Sequence, residues 1–403
     1  MLGNLVTGLG TQATLVALPY QLFVQTHSPL LTGLLGAVEL LPITGMSLYG
    51  GALADRLDRR RLLLVDQLAL VSISAALSVG AFLGHPPLAL LYVLAGLLAG
   101  FSAIQNVARS AIVPNLVEPE RLRGALALNF GLYQLTMVLG PTLGGVLIAL
   151  AGLGTAYLVD AVSCLGMVLA VIGMGPQPPH ALEHAHARIL DSIRDGLRFV
   201  RSERALMGSF GIDLAAMTFG MPRTLFPVLS LTVYHTGAAG TGALFAAVSA
   251  GATVAALTTG WLGRTRRLGR VVVWAVLCWG AAIALVGLVT SLWAAMALLA
   301  VAGAADSVSA VCRSTINQTV TPDAMRGRMS SVFSLVVTSG PRLGDIESGT
   351  VASLATPRFS VLSGGVGCVI AAVLLVRAFP ALVRYDAEHL TGAGAGEPVP
   401  AGL

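Results

Sequence analysis

Twelve long runs of mostly apolar residues constrain what this chain can fold into. A helix needs about 20 such residues to cross the hydrocarbon core of a bilayer. We predict one transmembrane helix, called a span here, in each of the ranges 2–24, 30–54, 62–84, 88–108, 124–150, 155–175, 205–232, 240–262, 270–290, 292–312, 327–352 and 358–380. Only 11% of the residues are charged, against about 25% in soluble proteins. The pattern predicts an all-α polytopic protein of the lipid bilayer.

The basic residues indicate how the spans are oriented. The chain contains no lysine, so all 24 basic residues are arginines. All but Arg223, Arg342 and Arg358 lie in or beside the loops that follow even-numbered spans, or in the tail. Loops rich in arginine stay on the cytoplasmic side. We therefore expect a multi-pass protein of the inner, cytoplasmic membrane with both termini in the cytoplasm.

Composition divides the chain into four parts. We predict an N-terminal six-helix half at 1–175, a cytoplasmic linker at 176–204, a C-terminal six-helix half at 205–380 and a cytoplasmic tail at 381–403. The linker contains an amphipathic helix whose apolar face would lie on the membrane surface. Three linker histidines have no cysteine partner, and we favour a solvated linker over a metal site for His180, His184 and His186.

The two halves repeat each other in sequence. Residues 101–126, FSAIQNVARSAIVPNLVEPERLRGAL, match residues 305–329, ADSVSAVCRSTINQTVTPDAMRGRM. GPTLGGVLIA at 140–149 likewise matches GPRLGDIESG at 340–349. Repeats in the same orientation indicate a parallel-repeat transporter whose site lies near the membrane midplane, between the halves.

Three motifs carry a resemblance to a known family. GALADRLDRRRLL at 51–63 resembles the loop 2–3 signature of the major facilitator superfamily. Asp58 replaces the usual second glycine, as in the branch that contains enterobactin exporters and macrolide or multidrug efflux proteins. GPTLGG resembles the end of the antiporter motif, although Ala127 and Thr136 stand at its two upstream glycine positions. FGMPRTLFP at 219–227 also looks like the siderophore-exporter branch.

The resemblance implies roles for two of these motifs. The cluster after span 2 would act as a conformational latch, formed by Gly51, Asp55, Arg56 and Arg59. For Arg60 and Arg61 we favour a role in topology alone. A face of small residues with a proline kink would pack tightly against another helix, and it comprises Gly140, Pro141, Gly144 and Gly145.

Charged residues inside spans are the candidates for proton coupling, because intramembrane charge is costly unless it has a function or a partner. The candidates are Glu39, Asp213, Asp306, Asp345 and Glu347. Glu39 lies about 14 Å below the outer edge of its span, at 1.5 Å per residue. We expect Arg342 to pair with Asp345, three residues away on the same helix face. Glu347 then needs another partner, and Arg223 is one.

Two further groups of buried polar residues follow from their positions. Asp160 lies near the start of span 6, where we expect it to stabilise the helix terminus. Spans 1, 4, 7 and 10 line the central cavity by resemblance. The substrate candidates on them are Gln12, Gln105, Asn106, Met217 and Arg223.

No motif of a reactive or cofactor site stands in the chain. The absence of lysine excludes a Walker-type ATP site, and we expect no cofactor, no bound metal and no nucleic-acid partner. We predict a monomeric secondary exporter that moves a small organic molecule, a siderophore or a drug-like compound, in exchange for protons. The alternatives are a multidrug or macrolide pump and a non-transporting membrane sensor or scaffold on the same fold.

Overall fold

A computed structural model describes residues 2–116, 122–173, 175, 189–322 and 325–385. Within these ranges the side chains are described except at 2, 48–56, 106–107, 109–116, 122–123, 125–127, 130, 189–192, 261, 263–264, 327 and 330–331. The predicted linker histidines and most of the predicted tail lie outside the described residues.

The described residues form helices joined by short connections, without a β-strand. The helices are α1 (Leu2–Thr26), α2 (Pro29–Arg56), α3 (Arg59–Phe82), α4 (Leu88–Leu116), α5 (Leu122–Ile172), α6 (Ile189–Ser202), α7 (Arg204–Phe219), α8 (Phe226–Thr232), α9 (Gly237–Thr258), α10 (Leu268–Val286), α11 (Leu292–Val320), α12 (Arg326–Leu354), α13 (Pro357–Ala378) and α14 (Pro380–Arg384). Each of the twelve predicted spans falls on one of them or on a consecutive pair.

Length and composition alone select nine helical segments of the described residues as candidate membrane spans. One of these, Gly131–Ile172, is 42 residues long. It is too long for one crossing, because a span rises 1.5 Å per residue through a core of about 30 Å. The backbone breaks inside it at Gly152, where φ is 82°. Predicted spans 5 and 6 are the two segments on either side of this glycine.

Span 7 is also interrupted. Helix α7 ends at Phe219, and a 3₁₀ turn at Arg223–Leu225 precedes α8. The indole Nε1 of Trp279 on α10 donates a hydrogen bond to the Gly220 carbonyl, at 2.9 Å. Irregular backbone at membrane depth is tolerated where protein covers it or where it lines a cavity. This break brings main-chain N–H groups and Arg223 to the centre of the bundle.

A buried carboxylate joins three helices of the first repeat. Asp160 accepts hydrogen bonds from Thr14 of α1 and Ser74 of α3, both at 2.8 Å. Its side chain is therefore held by hydroxyl groups of neighbouring helices. The expectation that Asp160 stabilises its own helix terminus was wrong, because tertiary packing supplies partners that the local sequence does not show.

We name the two ends of the bundle by their loops. The arginine-rich end contains the α2–α3 and α9–α10 connections, at 57–58 and 259–267, and the arginine-poor end contains the α1–α2 connection at 27–28. At the arginine-rich end the amphipathic helix α6 packs against α12, and Asp195 of α6 forms an ion pair with Arg328 of α12, at 3.3 Å.

Two glycine contacts near the arginine-poor end join helices of the first repeat to helices of the second. A Cβ atom added at Gly33 of α2 would lie 2.8 Å from the Cα atom of Gly349 on α12. One added at Gly145 of α5 would lie 2.8 Å from the Cα atom of Gly242 on α9. Both distances are shorter than van der Waals contact, so only glycine permits these helices to approach so closely.

We predict that Gly33→Leu lowers both transport and thermal stability, because a side chain at this contact must push α2 away from α12. Overpacking of this kind costs about 1–3 kcal/mol. Gly45→Leu on the same helix is the matched control, since a Cβ atom there meets nothing within 4 Å. The measurements are the unfolding midpoint of the purified protein and the transport rate. Equal midpoints for the two variants would contradict the importance of this contact.

Candidate functional site

A cavity of about 410 Å³ lies between the helices of the two repeats. Its walls come from α1, α2, α4 and α5 of the first repeat and from α8, α9 and α12 of the second, together with the break in span 7. Most of the wall is apolar. The charged side chains that line it are Glu39, Arg223, Arg342 and Asp345.

An ion pair crosses the cavity from α2 to α12. The Nε atom of Arg342 lies 2.9 Å from Oε2 of Glu39, and both side chains are largely shielded from solvent. Glu39 is about 15 Å along α2 from its first residue, and Arg342 is about 18 Å along α12 from its last, at 1.5 Å per residue. The pair therefore lies close to the midplane of a core about 30 Å thick.

The expected pair between Arg342 and Asp345 is therefore not the one that forms. Arg342 reaches to Glu39 on the neighbouring helix, and Asp345 Oδ1 accepts a hydrogen bond from the backbone N–H of Thr224, at 3.3 Å. The break in span 7 exposes this N–H group, because the residues that begin a helical turn have no intrahelical acceptor for it. The i, i+3 spacing places Asp345 within reach of Arg342 on the same helix. Packing of α2 against α12 brings Glu39 within reach as well, and Arg342 pairs with Glu39.

Arg223 lies on the cavity wall within the 3₁₀ turn. No carboxylate of the described residues lies within ion-pair distance, 4.0 Å, of its guanidinium, and Glu347 is not its partner. Among the described residues, the cavity lining thus contains two arginines and two carboxylates, of which Arg342 and Glu39 are paired with each other. Arg223 presents guanidinium N–H donors to whatever enters the cavity.

The other predicted substrate residues divide into two groups. Gln12 lines the cavity, and its amide nitrogen lies 3.4 Å from the sulfur of Met137 on α5. Gln105 and Met217 are buried but do not line it. The side chain of Asn106 lies outside the described part of the structure.

Several residues that line the cavity were not predicted from the sequence. Tyr133, Met137 and Ser249 line the cavity beside its charged groups. They stand on α5 and α9, whereas family resemblance directed attention to spans 1, 4, 7 and 10. Their residue types carry no intramembrane charge, so nothing in the sequence separates them from ordinary span residues.

A second charged cluster lies outside the cavity lining. Arg313 of α11 contacts the carboxylate of Asp213 on α7, and its Nη2 atom lies 3.5 Å from Oδ1 of Asp306. The side chains of Arg313 and Asp213 are only 8% and 4% exposed, whereas that of Asp306 is 32% exposed. The cluster links α7 to α11 through the buried Arg313–Asp213 pair, and this direct pair suits a structural role.

The remaining predicted site residues are placed as follows. Glu347 is half-buried, lies outside the cavity lining and has no ion-pair partner among the described residues. Gly140 and Gly144 of α5 face Gln12 and Ala13 of α1, and the carbonyl group of Pro141 faces Gly242 of α9. Of the proposed latch, the side chains of Gly51, Asp55 and Arg56 lie outside the described residues, and the latch stays a prediction.

Fold and cavity together define a membrane transporter of the major facilitator type. The family of transmembrane secretion effectors matches residues 1–394, and the chain belongs to this family. The enterobactin exporter EntS of Citrobacter koseri is 31% identical over 379 residues, which cover 92% of this chain and 88% of that protein. EntS of Escherichia coli O139:H28 is also 31% identical, with the same coverage.

Solved transporters share the fold at low sequence identity. The nucleoside transporter NupG superposes with a TM-score of 0.73 at 14% identity, over 94% of this chain and 98% of NupG. A bacterial homologue of the iron transporter ferroportin, in an inward-facing state, gives 0.68 at 17% identity, over 95% and 97% of the two chains. The chain is a secondary exporter of a small molecule and a multi-pass membrane protein, not an enzyme.

We predict that Asp213→Asn destabilises the protein far more than Asp306→Asn. Loss of Asp213 leaves Arg313 buried without its nearest counter-charge, which costs about 3–5 kcal/mol. Loss of the more exposed Asp306 costs about 1 kcal/mol or less. The unfolding midpoints of the two purified variants measure the difference. Equal shifts would show that the two carboxylates compensate Arg313 to the same extent.

Proposed function

We propose that this protein exports an anionic, partly apolar organic molecule, such as a siderophore, out of the cell in exchange for protons. The observation that carries the proposal is the cavity arginine Arg223, which has no described carboxylate within the ion-pair distance of 4.0 Å. A guanidinium in a shielded cavity favours a negatively charged group on the ligand, because charge-assisted hydrogen bonds are the strong ones. The relatives named for enterobactin export support this substrate class.

The apolar side chains of the cavity wall support the proposal that the substrate is partly apolar. Met221, Phe226 and Phe245 line the same cavity as Arg223, together with Leu15 and Ile43. Binding sites of this kind combine mostly apolar walls with a few placed polar groups. Met137 and Met221 add adaptable surface, which also suits drug-like compounds. A multidrug pump is therefore the second candidate function.

Among the acids, we propose Glu39 as the residue that couples protons to transport. It is ion-paired to Arg342 across α2 and α12, which belong to different repeats. Protonation of Glu39 would remove this attraction and weaken the contact between the two helices. A proton would thereby change the equilibrium between the closed and open forms of this interface, which is what alternating access requires.

A panel of substrates in inverted membrane vesicles tests the substrate class. We expect substrate-dependent proton movement with catecholate or carboxylate siderophores and little with macrolides, which carry no acid group. Arg223→Gln should raise the half-saturating concentration of the anionic compounds about tenfold to a hundredfold, since a charged hydrogen bond contributes about 1.5–3 kcal/mol. Arg201→Gln, on the exposed surface of α6, is the matched control. Proton movement with macrolides alone would instead favour the multidrug pump.

A separate measurement tests Glu39. In Glu39→Gln vesicles we expect substrate-dependent proton movement to disappear while exchange of labelled for unlabelled substrate continues, because the cavity and Arg223 are retained. Glu347→Gln is the comparison variant, since Glu347 lies outside the cavity lining. If Glu347→Gln uncoupled transport and Glu39→Gln did not, coupling would belong to Glu347.

A further inference from the structure

A groove on the outer surface of the second repeat is separate from the central cavity. Helices α9 and α10 each pack closely against α11 but make almost no contact with each other. The space left between them has a volume of about 740 Å³, and α11 forms its floor. Val254 of α9, Trp274 of α10 and Val301 of α11 are among the residues that line it.

The groove has the dimensions of lipid acyl chains in one leaflet. Its lining runs from Arg267, just before α10, and Arg270 at the arginine-rich end to Cys278 on α10. That distance is about 15 Å at 1.5 Å per residue, which is half of the hydrocarbon thickness of about 30 Å. Its walls are open to the bilayer, since the side chains of Val254 and Trp274 are 62% and 72% exposed.

The arginine-rich end of the groove carries positive charge without an ion-paired acid among the residues that the structure describes. Arg267 and Arg270 are exposed, line the groove and have no ion-pair partner among the described residues. The sequence contains no aspartate or glutamate between Asp213 and Asp306, so the α9–α10 connection has no acid of its own. The corresponding connection of the first repeat contains Asp58, which caps α3 through the N–H of Arg60, at 2.8 Å.

From this arrangement we infer that the groove binds an anionic phospholipid, with the acyl chains between α9 and α10 and the phosphate headgroup at Arg267 and Arg270. An apolar trough accepts the chains of any lipid, and the two arginines select the anionic headgroup. Basic pockets between transmembrane helices bind anionic headgroups in this way. Each arginine raises the affinity for an anionic over a zwitterionic lipid about fivefold, so the two together raise it about 25-fold.

Trp274 provides a local reporter for the test. The full-length protein with Trp261→Phe and Trp293→Phe retains Trp274 in the groove and Trp279, which is only 2% exposed. It is reconstituted into vesicles that mix phosphatidylglycerol with phosphatidylcholine, one of the two brominated. Brominated acyl chains quench the fluorescence of a tryptophan that they contact. We expect brominated phosphatidylglycerol to quench Trp274 at a much lower mole fraction than brominated phosphatidylcholine.

Matched variants separate charge from folding. Arg267→Gln with Arg270→Gln should abolish the preference for phosphatidylglycerol, and Arg267→Lys with Arg270→Lys should retain it because the charges remain. Arg201→Gln with Arg204→Gln removes two exposed charges elsewhere and should change nothing. Equal quenching by the two lipids in the unmodified groove would overturn the proposal. So would an undiminished preference in the glutamine variant.

Discussion

The ion pair between Glu39 and Arg342 is the interaction on which the centre of this structure depends. A charge at the middle of a bilayer costs at least about 2.5–3.5 kcal/mol on insertion scales, so each of these side chains requires the other. The pair joins α2 to α12 close to the midplane. The glycine contact between Gly33 and Gly349 lies on the same two helices, nearer the arginine-poor end. Close packing and charge compensation therefore act on one interface.

Two groups of described intramembrane charges differ in how directly their members are paired. Arg313 is in contact with Asp213 of α7 and Asp306 of α11, so its charge has two described counter-charges. In the cavity, Arg342 is paired with Glu39, whereas Arg223 has no described carboxylate within ion-pair distance, and Asp345 accepts the N–H of the adjoining Thr224. A carboxylate in direct contact with a buried arginine stabilises the fold, whereas a cavity arginine without a direct ion pair has N–H donors left for an anionic ligand.

Much of the fold was predictable from the sequence because span length and arginine placement are local properties. The runs of apolar residues match the helices, and Gly152 separates spans 5 and 6, as their predicted boundaries imply. The candidate site was less predictable. Glu39, Arg223 and Asp345 were selected because charges inside apolar runs are conspicuous. Tyr133, Met137 and Ser249 line the same cavity and gave no signal, since their positions depend on how α5 and α9 are rotated.

The sequence by itself determined the class of protein, the repeat and the identity of the intramembrane charges. The twin segments GPTLGG and GPRLGD showed which helix carried added charge. Only the tertiary structure decided the partners: Arg342 pairs with Glu39, Asp345 accepts the N–H of Thr224, and Asp160 accepts hydroxyl groups from α1 and α3. Spacing along one helix identifies neighbours on that helix alone. The partners on other helices follow from packing, which brings together residues that are remote in the chain.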